Sequence, residues 1–243
     1  MHHLPFVLFG VPHQTALALA FIVPVTLAVA TRGRPRAQRL VRYGFAGILI
    51  ASWLAWYLIS GMRGWLTLDN LLPFNLCDWA MFVLVFALLR PGQRSYELAY
   101  FWALGGTLQG LVTPGVPYDF PDPQFLAFCV LHAGIIAGVL YMTLALGMRP
   151  VPASLPRVIG WTLAYAAVAG LADWGLGTDY AFLRAKPANA SLYDYLSPWP
   201  VYIPEVIGIG LVSALVYYAP FYFLDLNHAA SRKARNRAPR LRA

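Results

Sequence analysis

The sequence is poor in charge. Only 12% of its 243 residues are Asp, Glu, Lys or Arg, whereas 59% are hydrophobic. A water-soluble domain carries about twice that charged fraction. The sequence is therefore not that of a soluble globular protein. The formal net charge of +8 indicates a membrane rather than a nucleic-acid partner, because the sequence has almost no polar surface on which nucleic acid could bind.

Cysteine is scarce too, and so are metal-binding patterns. Cys77 and Cys129 are the two cysteines; they permit one disulfide at most and cannot form a four-ligand zinc site. The five histidines follow no metal-binding spacing. The sequence contains no phosphate-binding loop, dinucleotide fingerprint or serine-hydrolase elbow. We therefore expect no metal and no cofactor.

Long apolar runs dominate what is present. About 20 apolar residues cross the roughly 30 Å of bilayer hydrocarbon as a helix. Seven stretches meet this requirement: about 14–30, 41–61, 71–89, 95–113, 125–148, 158–176 and 201–224. No repeat or linker divides residues 1–243. The sequence predicts an all-α, polytopic membrane protein: one domain of seven transmembrane helices.

The basic residues predict how the helices are oriented. Fifteen of the 18 Lys and Arg lie in the first, third and fifth connections between spans and in the C-terminal tail, which all face one side of the membrane. The connections on the opposite side hold Arg63, Arg184 and Lys186. Cytoplasmic loops are the basic ones. We therefore expect a multi-pass cell-membrane protein with its N-terminus outside and its C-terminus in the cytoplasm. The basic tail, residues 229–243, is expected to lie against anionic lipid headgroups.

Polar side chains within the spans are candidates for function, because ionisable groups in a bilayer are costly. Counting 1.5 Å per residue from the span ends places them in the outer half of the membrane and predicts one cavity there. They are His13, Asn75, Cys77, Asp78, Gln109, His132, Asp173 and Glu205. Asp173 and Glu205 lie near span ends, so each alone fits a solvated residue better than a catalytic one.

Cys77 allows three interpretations. It is an inert buried thiol, a disulfide partner of Cys129, or a nucleophile activated by His132. The segment 73–78 predicts a helix start with Asn75 as its cap, and the dipole of that first turn stabilises a thiolate. Asp78 and the apolar surroundings oppose the thiolate, so a neighbouring base is needed.

Two glycine pairs have the spacing of close helix contacts. Gly106 and Gly110, and likewise Gly134 and Gly138, are four residues apart. Small residues at this spacing let membrane helices approach closely.

Several motifs together resemble those of the bacterial YwaF-type integral membrane proteins, over most of the chain. Asn75 stands where other members often carry a different polar residue, frequently His. The motifs are Leu72-Pro-Phe-Asn-Leu-Cys-Asp78, Tyr96-Glu-Leu-Ala-Tyr-Phe-Trp102, Gly106-Thr-Leu-Gln109, Leu131-His-Ala-Gly134, Gly177-Thr-Asp-Tyr180, Lys186-Pro187, Ser191-Leu192 and Pro198-Trp-Pro200.

The resemblance implies a function. This family is related to eukaryotic transmembrane protein 164, a lipid acyltransferase with a Cys–His pair. It is related more remotely to the androgen-induced membrane hydrolases, which use Thr and His on fatty esters. The resemblance implies that Cys77 is the nucleophile and His132 the base.

The first hypothesis is thus a lipid acyltransferase or lipid-ester hydrolase that forms a thioester on Cys77. Its partners would be a phospholipid donor and a lysolipid or water acceptor. Asn75 or Gln109 would donate to the oxyanion, and Asp78 or Asp173 would orient neighbouring groups. The alternative is a small-solute or proton-coupled transporter, or a ligand-binding seven-helix protein. The internal symmetry common in transporters is not visible in the sequence.

Overall fold

The computed structural model describes residues 4–237, and their side chains as far as residue 226. The regular secondary structure of this part is helical. A π-helical turn, Ala103–Thr107, joins α5 to α6, and short 3-10 turns lie at Tyr180–Phe182 and Leu192–Tyr195. The α-helices are α1 (Val11–Ala30), α2 (Pro35–Met62), α3 (Leu68–Leu71), α4 (Leu76–Leu89), α5 (Gln93–Trp102), α6 (Leu108–Val112), α7 (Pro123–Leu146), α8 (Ser154–Leu176) and α9 (Tyr202–Arg237).

Proline and glycine set several helix ends. α1, α2 and α7 carry a proline at the first or second helical position, where its missing N–H costs no hydrogen bond. α7 and α8 are followed by Gly147 and Gly177 in the left-handed conformation, a common helix terminator. Compared with the predicted spans, most of the helices extend a few residues further at one end.

Within residues 4–237, six helices are long and apolar enough to cross a membrane, which identifies a multi-pass membrane protein. They correspond to six of the seven predicted spans. The third includes a break at residues 72–75, between α3 and α4. The six are Val11–Ala30, Pro35–Met62, Leu68–Leu89, Pro123–Leu146, Ser154–Leu176 and Tyr202–Leu226.

The fourth predicted span, 95–113, is not among these six. The π turn divides it into α5 and α6, and α5 carries Glu97. The segment nevertheless links the two ends of the bundle. At its start Gln93 Nε2 donates to the Arg149 carbonyl at 2.8 Å, and just beyond its end Asn189 Nδ2 donates to the Thr113 carbonyl at 3.1 Å. Glu97 is buried and paired with Arg157 at 2.7 Å, which compensates its charge.

The core is centred on α7, which packs against α1, α2, α4 and α5. Basic residues mark opposite ends of the bundle. At one end Arg149 pairs with Asp225 at 2.6 Å; at the other Arg63 pairs with Asp122 at 2.7 Å, which raises the pKa of the Arg63 guanidinium. α9 continues to Arg237, so the predicted tail, 229–243, begins as helix; its side chains lie outside the described part.

Candidate active site

The break before α4 is held by aromatic side chains. Backbone groups within a bilayer must find partners inside the protein. In residues 72–75, three aromatic side chains provide such partners. Tyr165 Oη donates to the Phe74 carbonyl and Trp79 Nε1 donates to the Pro73 carbonyl, both at 2.9 Å. Tyr180 Oη accepts a hydrogen bond from Leu72 N at 3.2 Å. These bonds fix the segment that leads into Cys77.

Cys77 lies in the first turn of α4. Asn75 is the N-cap residue, as predicted, but its side chain makes no capping hydrogen bond. The thiol is free and partly buried. At this position the helix dipole stabilises a thiolate.

Asp78 forms its hydrogen bond with another helix. Its side chain is buried, and Oδ1 accepts a hydrogen bond from Trp53 Nε1 of α2 at 2.9 Å. The carboxylate thus holds the start of α4 against α2. In the described structure it is a positioning group for that turn.

His132 has one ring nitrogen engaged. The ring is buried on α7 and stacks on Phe128, with ring centroids 3.9 Å apart. Nδ1 lies 3.0 Å from the Phe128 carbonyl. A carbonyl only accepts, so Nδ1 carries the proton of the neutral ring and Nε2 carries the lone pair. Nε2 has no hydrogen-bond partner among the described residues. The ring can therefore accept a proton at Nε2.

Two glycines bring the start of α4 and the His132 ring to the same short stretch of helix. A Cβ on Gly106 would lie 2.5 Å from Leu76 Cδ2, and a Cβ on Gly110 would lie 3.3 Å from His132 Nε2. The two glycines are about one helical turn apart. The predicted close approach at this pair is confirmed. No hydrogen bond joins Cys77 to His132 within the described residues.

His13 differs from His132 in that both of its ring nitrogens are engaged. The residue is fully buried. Nδ1 accepts from Phe9 N at 3.0 Å, and Nε2 donates to the Leu111 carbonyl at 2.8 Å. The bonds fasten the start of α1 to α6 and leave no lone pair for proton transfer.

The remaining predicted residues bond elsewhere. Gln109 is exposed. Asp173 Oδ1 accepts from Thr178 Oγ1 at 3.0 Å and from Tyr180 N at 2.7 Å. Glu205 accepts from Ser197 N at 2.8 Å and from Ser197 Oγ at 2.6 Å. Asp173 and Glu205 thus organise the chain that follows α8 and precedes α9.

Two clefts on the described surface are lined by residues other than Cys77 and His132. One, of about 360 Å³, is lined by residues that include Asp173 and Arg184. The other, of about 390 Å³, is lined by residues that include Phe86 and Trp161. Cys77 and His132 line neither cleft. The residues predicted to share one cavity are therefore divided between several places.

The disulfide interpretation of Cys77 is wrong in this structure, because both thiols are free. Cys129 lies instead in a small buried cluster with Val116 and Phe125. Apolar packing of this kind is the common environment of an inert cysteine.

Sequence reasoning missed the aromatic residues that hold the site. Trp53 and Tyr165 carry no distinguishing pattern, since tryptophan and tyrosine near span ends are ordinary interfacial residues. Tyr180 belongs to the motif Gly177-Thr-Asp-Tyr180, but the motif does not indicate which residue it contacts. Tyr165 and Tyr180 bond to the break at residues 72–75, and Trp53 bonds to Asp78; these partners are far apart in sequence, so local composition does not reveal them.

Comparison with known proteins identifies a family but no individual relative. No curated protein and no solved structure matches the chain. The sequence model of the TMEM164 family matches residues 8–218, well over half of the chain, and the protein therefore belongs to the TMEM164 family.

Proposed function

We propose that the protein is an intramembrane acyltransferase or ester hydrolase of membrane phospholipids, with Cys77 as nucleophile and His132 as base. Membership of the TMEM164 family is consistent with such an enzyme. The observation that carries the proposal is the hydrogen bonding of His132, which leaves Nε2 as a free base beside Gly110. One turn away, Gly106 contacts Leu76, the residue before Cys77.

The first half of the reaction acylates the enzyme. The Cys77 thiol gives its proton to His132 Nε2, and Sγ attacks the carbonyl carbon of the phospholipid ester. A Sγ–C bond forms as the carbonyl electron pair moves to oxygen. When the carbonyl reforms, the ester C–O bond breaks, and the departing lysolipid oxygen takes the proton from His132.

The second half restores the enzyme. The hydroxyl of a lysolipid, or water, gives its proton to Nε2 and attacks the thioester carbon. The C–Sγ bond breaks, and Sγ takes the proton back from His132. A lysolipid acceptor yields a new phospholipid, whereas water yields a fatty acid.

The proposed membrane placement favours a lipid substrate. We propose seven crossings, the seventh being α5, the π turn and α6, with the N-terminus outside and the C-terminus in the cytoplasm of a cell-membrane protein. α4 then begins in the outer half of the bilayer, near the depth of phospholipid ester carbonyls. The relationships to YwaF-type proteins and to the androgen-induced hydrolases stay predictions.

Intact mass after incubation with a phospholipid of defined chains tests the proposal. We expect a hydroxylamine-labile acyl adduct on wild-type protein and none on Cys77→Ala. Cys129→Ala is the matched control, because it removes the other thiol and leaves the proposed nucleophile; its adduct should persist. An adduct that survives Cys77→Ala, or wild-type protein that acquires none from phospholipids of varied headgroup, would contradict the mechanism.

A further inference from the structure

One buried hydroxyl group differs from its counterparts elsewhere in the bundle. In the described helices and their C-caps, the other threonines donate their hydroxyl to the carbonyl four residues earlier, the usual arrangement for threonine in a helix. They are Thr15, Thr26, Thr31, Thr113, Thr143 and Thr162. Thr107 is 2% exposed, and its Oγ1 has no hydrogen-bond partner among the described residues.

The π turn accounts for this exception. The Leu108 N–H donates to the Ala103 carbonyl, five residues earlier, so the local register differs from that of an α-helix. Ala103 is the residue whose carbonyl Thr107 would otherwise use. Leaving a buried hydroxyl unpaired costs about 1–3 kcal/mol, and π turns of this kind are frequent at functional sites.

In the sequence, Thr107 lies between the two glycines that contact the start of α4 and the His132 ring. It directly follows Gly106, which contacts Leu76 at the start of α4. Gly110, three residues further on, contacts the His132 ring. The π turn itself packs against α4 and α7. Gln109, the donor expected from the sequence, is exposed instead.

We propose that Thr107 is the catalytic oxyanion donor of this site. When Cys77 Sγ bonds to the ester carbon, the negative charge on the former carbonyl oxygen accepts a hydrogen bond from Thr107 Oγ1–H. The proton stays on Thr107, and the bond weakens when the carbonyl reforms. Because the hydroxyl has no partner among the described residues, no bond seen in this part of the chain must break first. The inference rests on the proposed thioester mechanism.

The test compares Thr107→Val with Thr107→Ser, by the rate of thioester formation on Cys77 with a defined phospholipid and by thermal unfolding in the same detergent. Valine removes the hydroxyl at nearly constant volume. We expect the rate to fall about 10²- to 10³-fold, and the melting temperature to stay constant or rise, because an unpaired buried hydroxyl has been removed. Thr107→Ser keeps the hydroxyl and should stay within about tenfold of the wild-type rate.

Thr113→Val is the matched control, since Thr113 Oγ1 donates to the Gln109 carbonyl at 3.1 Å and so already has a partner; its rate should equal that of wild type. A wild-type rate in Thr107→Val overturns the oxyanion role while the thioester mechanism stands. An equal loss in Thr107→Ser, or a loss of rate that accompanies a lower melting temperature, shows a structural role and also overturns it. Wild-type protein without a thioester refutes the mechanism and this role together.

Discussion

At the scale of single residues, two buried histidines differ in what their ring nitrogens can do. His13 uses Nδ1 as acceptor and Nε2 as donor, so both positions are occupied. His132 donates from Nδ1 to its own helix and keeps the Nε2 lone pair. Of these two histidines, His132 alone keeps a ring nitrogen that can accept a proton, a distinction that the position of a residue along its predicted span cannot make.

Substitution of each histidine should separate stability from chemistry. His132→Asn keeps an N–H near the position of Nδ1, so the bond to Phe128 can persist while the base is lost. We expect a melting temperature near that of wild type and no thioester on Cys77. His13→Ala leaves Phe9 N and the Leu111 carbonyl unpaired, which should lower the free energy of unfolding by about 1–3 kcal/mol.

Thermal unfolding in detergent and intact mass measure both effects. Thioester formation by His132→Asn at the wild-type rate would exclude His132 as the base. His13→Ala protein as stable as wild type would show that the two hydrogen bonds of His13 contribute nothing to the fold.

At the scale of elements, the glycines of α5, the π turn and α6 control where the site residues lie. A methyl group on Gly110 would press on the His132 ring at 3.2–3.3 Å, and the stack on Phe128 restricts its retreat. A methyl group on Gly106 would meet the flexible end of Leu76. Gly105, in the same π turn, has open space around it.

We therefore expect three alanine variants to behave differently. Gly110→Ala should slow thioester formation, because it displaces Nε2. Gly106→Ala should cost about 1–3 kcal/mol of stability through overpacking on Leu76. Gly105→Ala is the matched control and should leave the rate unchanged and the stability equal or higher, since alanine is the better helix former. Equal rates in the three variants would show that the glycine contacts do not position the base.

Element boundaries were largely predictable, including the start of α4 after its cap Asn75, whereas the short helix α3 before it and the π turn were not. Apolar run length predicts where α1, α2, α7 and α8 lie, because each must bury an unbroken hydrophobic stretch in lipid or core. The break at residues 72–75 and the π turn depend on tertiary partners such as Tyr165 and on the packing of Leu76 against Gly106. Those partners are distant in sequence, so local composition does not reveal them.

At the scale of the whole molecule, opposite ends of the bundle carry different bonds between elements. One end is linked by Arg149–Asp225 and Arg157–Glu97, and the other by Arg63–Asp122. The α5–π–α6 segment runs between these ends although it contains a buried glutamate. In lipid, the pairing of Glu97 with Arg157 lowers the cost of placing that helix in the bilayer.

The proposed seventh crossing predicts opposite labelling of two exposed positions that flank it. In a Cys77→Ala, Cys129→Ala background, Phe120→Cys should react with a membrane-impermeant maleimide on intact cells, whereas Arg90→Cys should react only after the cells are opened. Both residues are exposed and lie on either side of residues 93–112. Reaction of both from the same side would mean that this segment does not cross. With only the six apolar helices crossing, the 18 Lys and Arg would be divided equally, nine on each side. The charge asymmetry that assigns Cys77 to the outer half of the bilayer would then disappear.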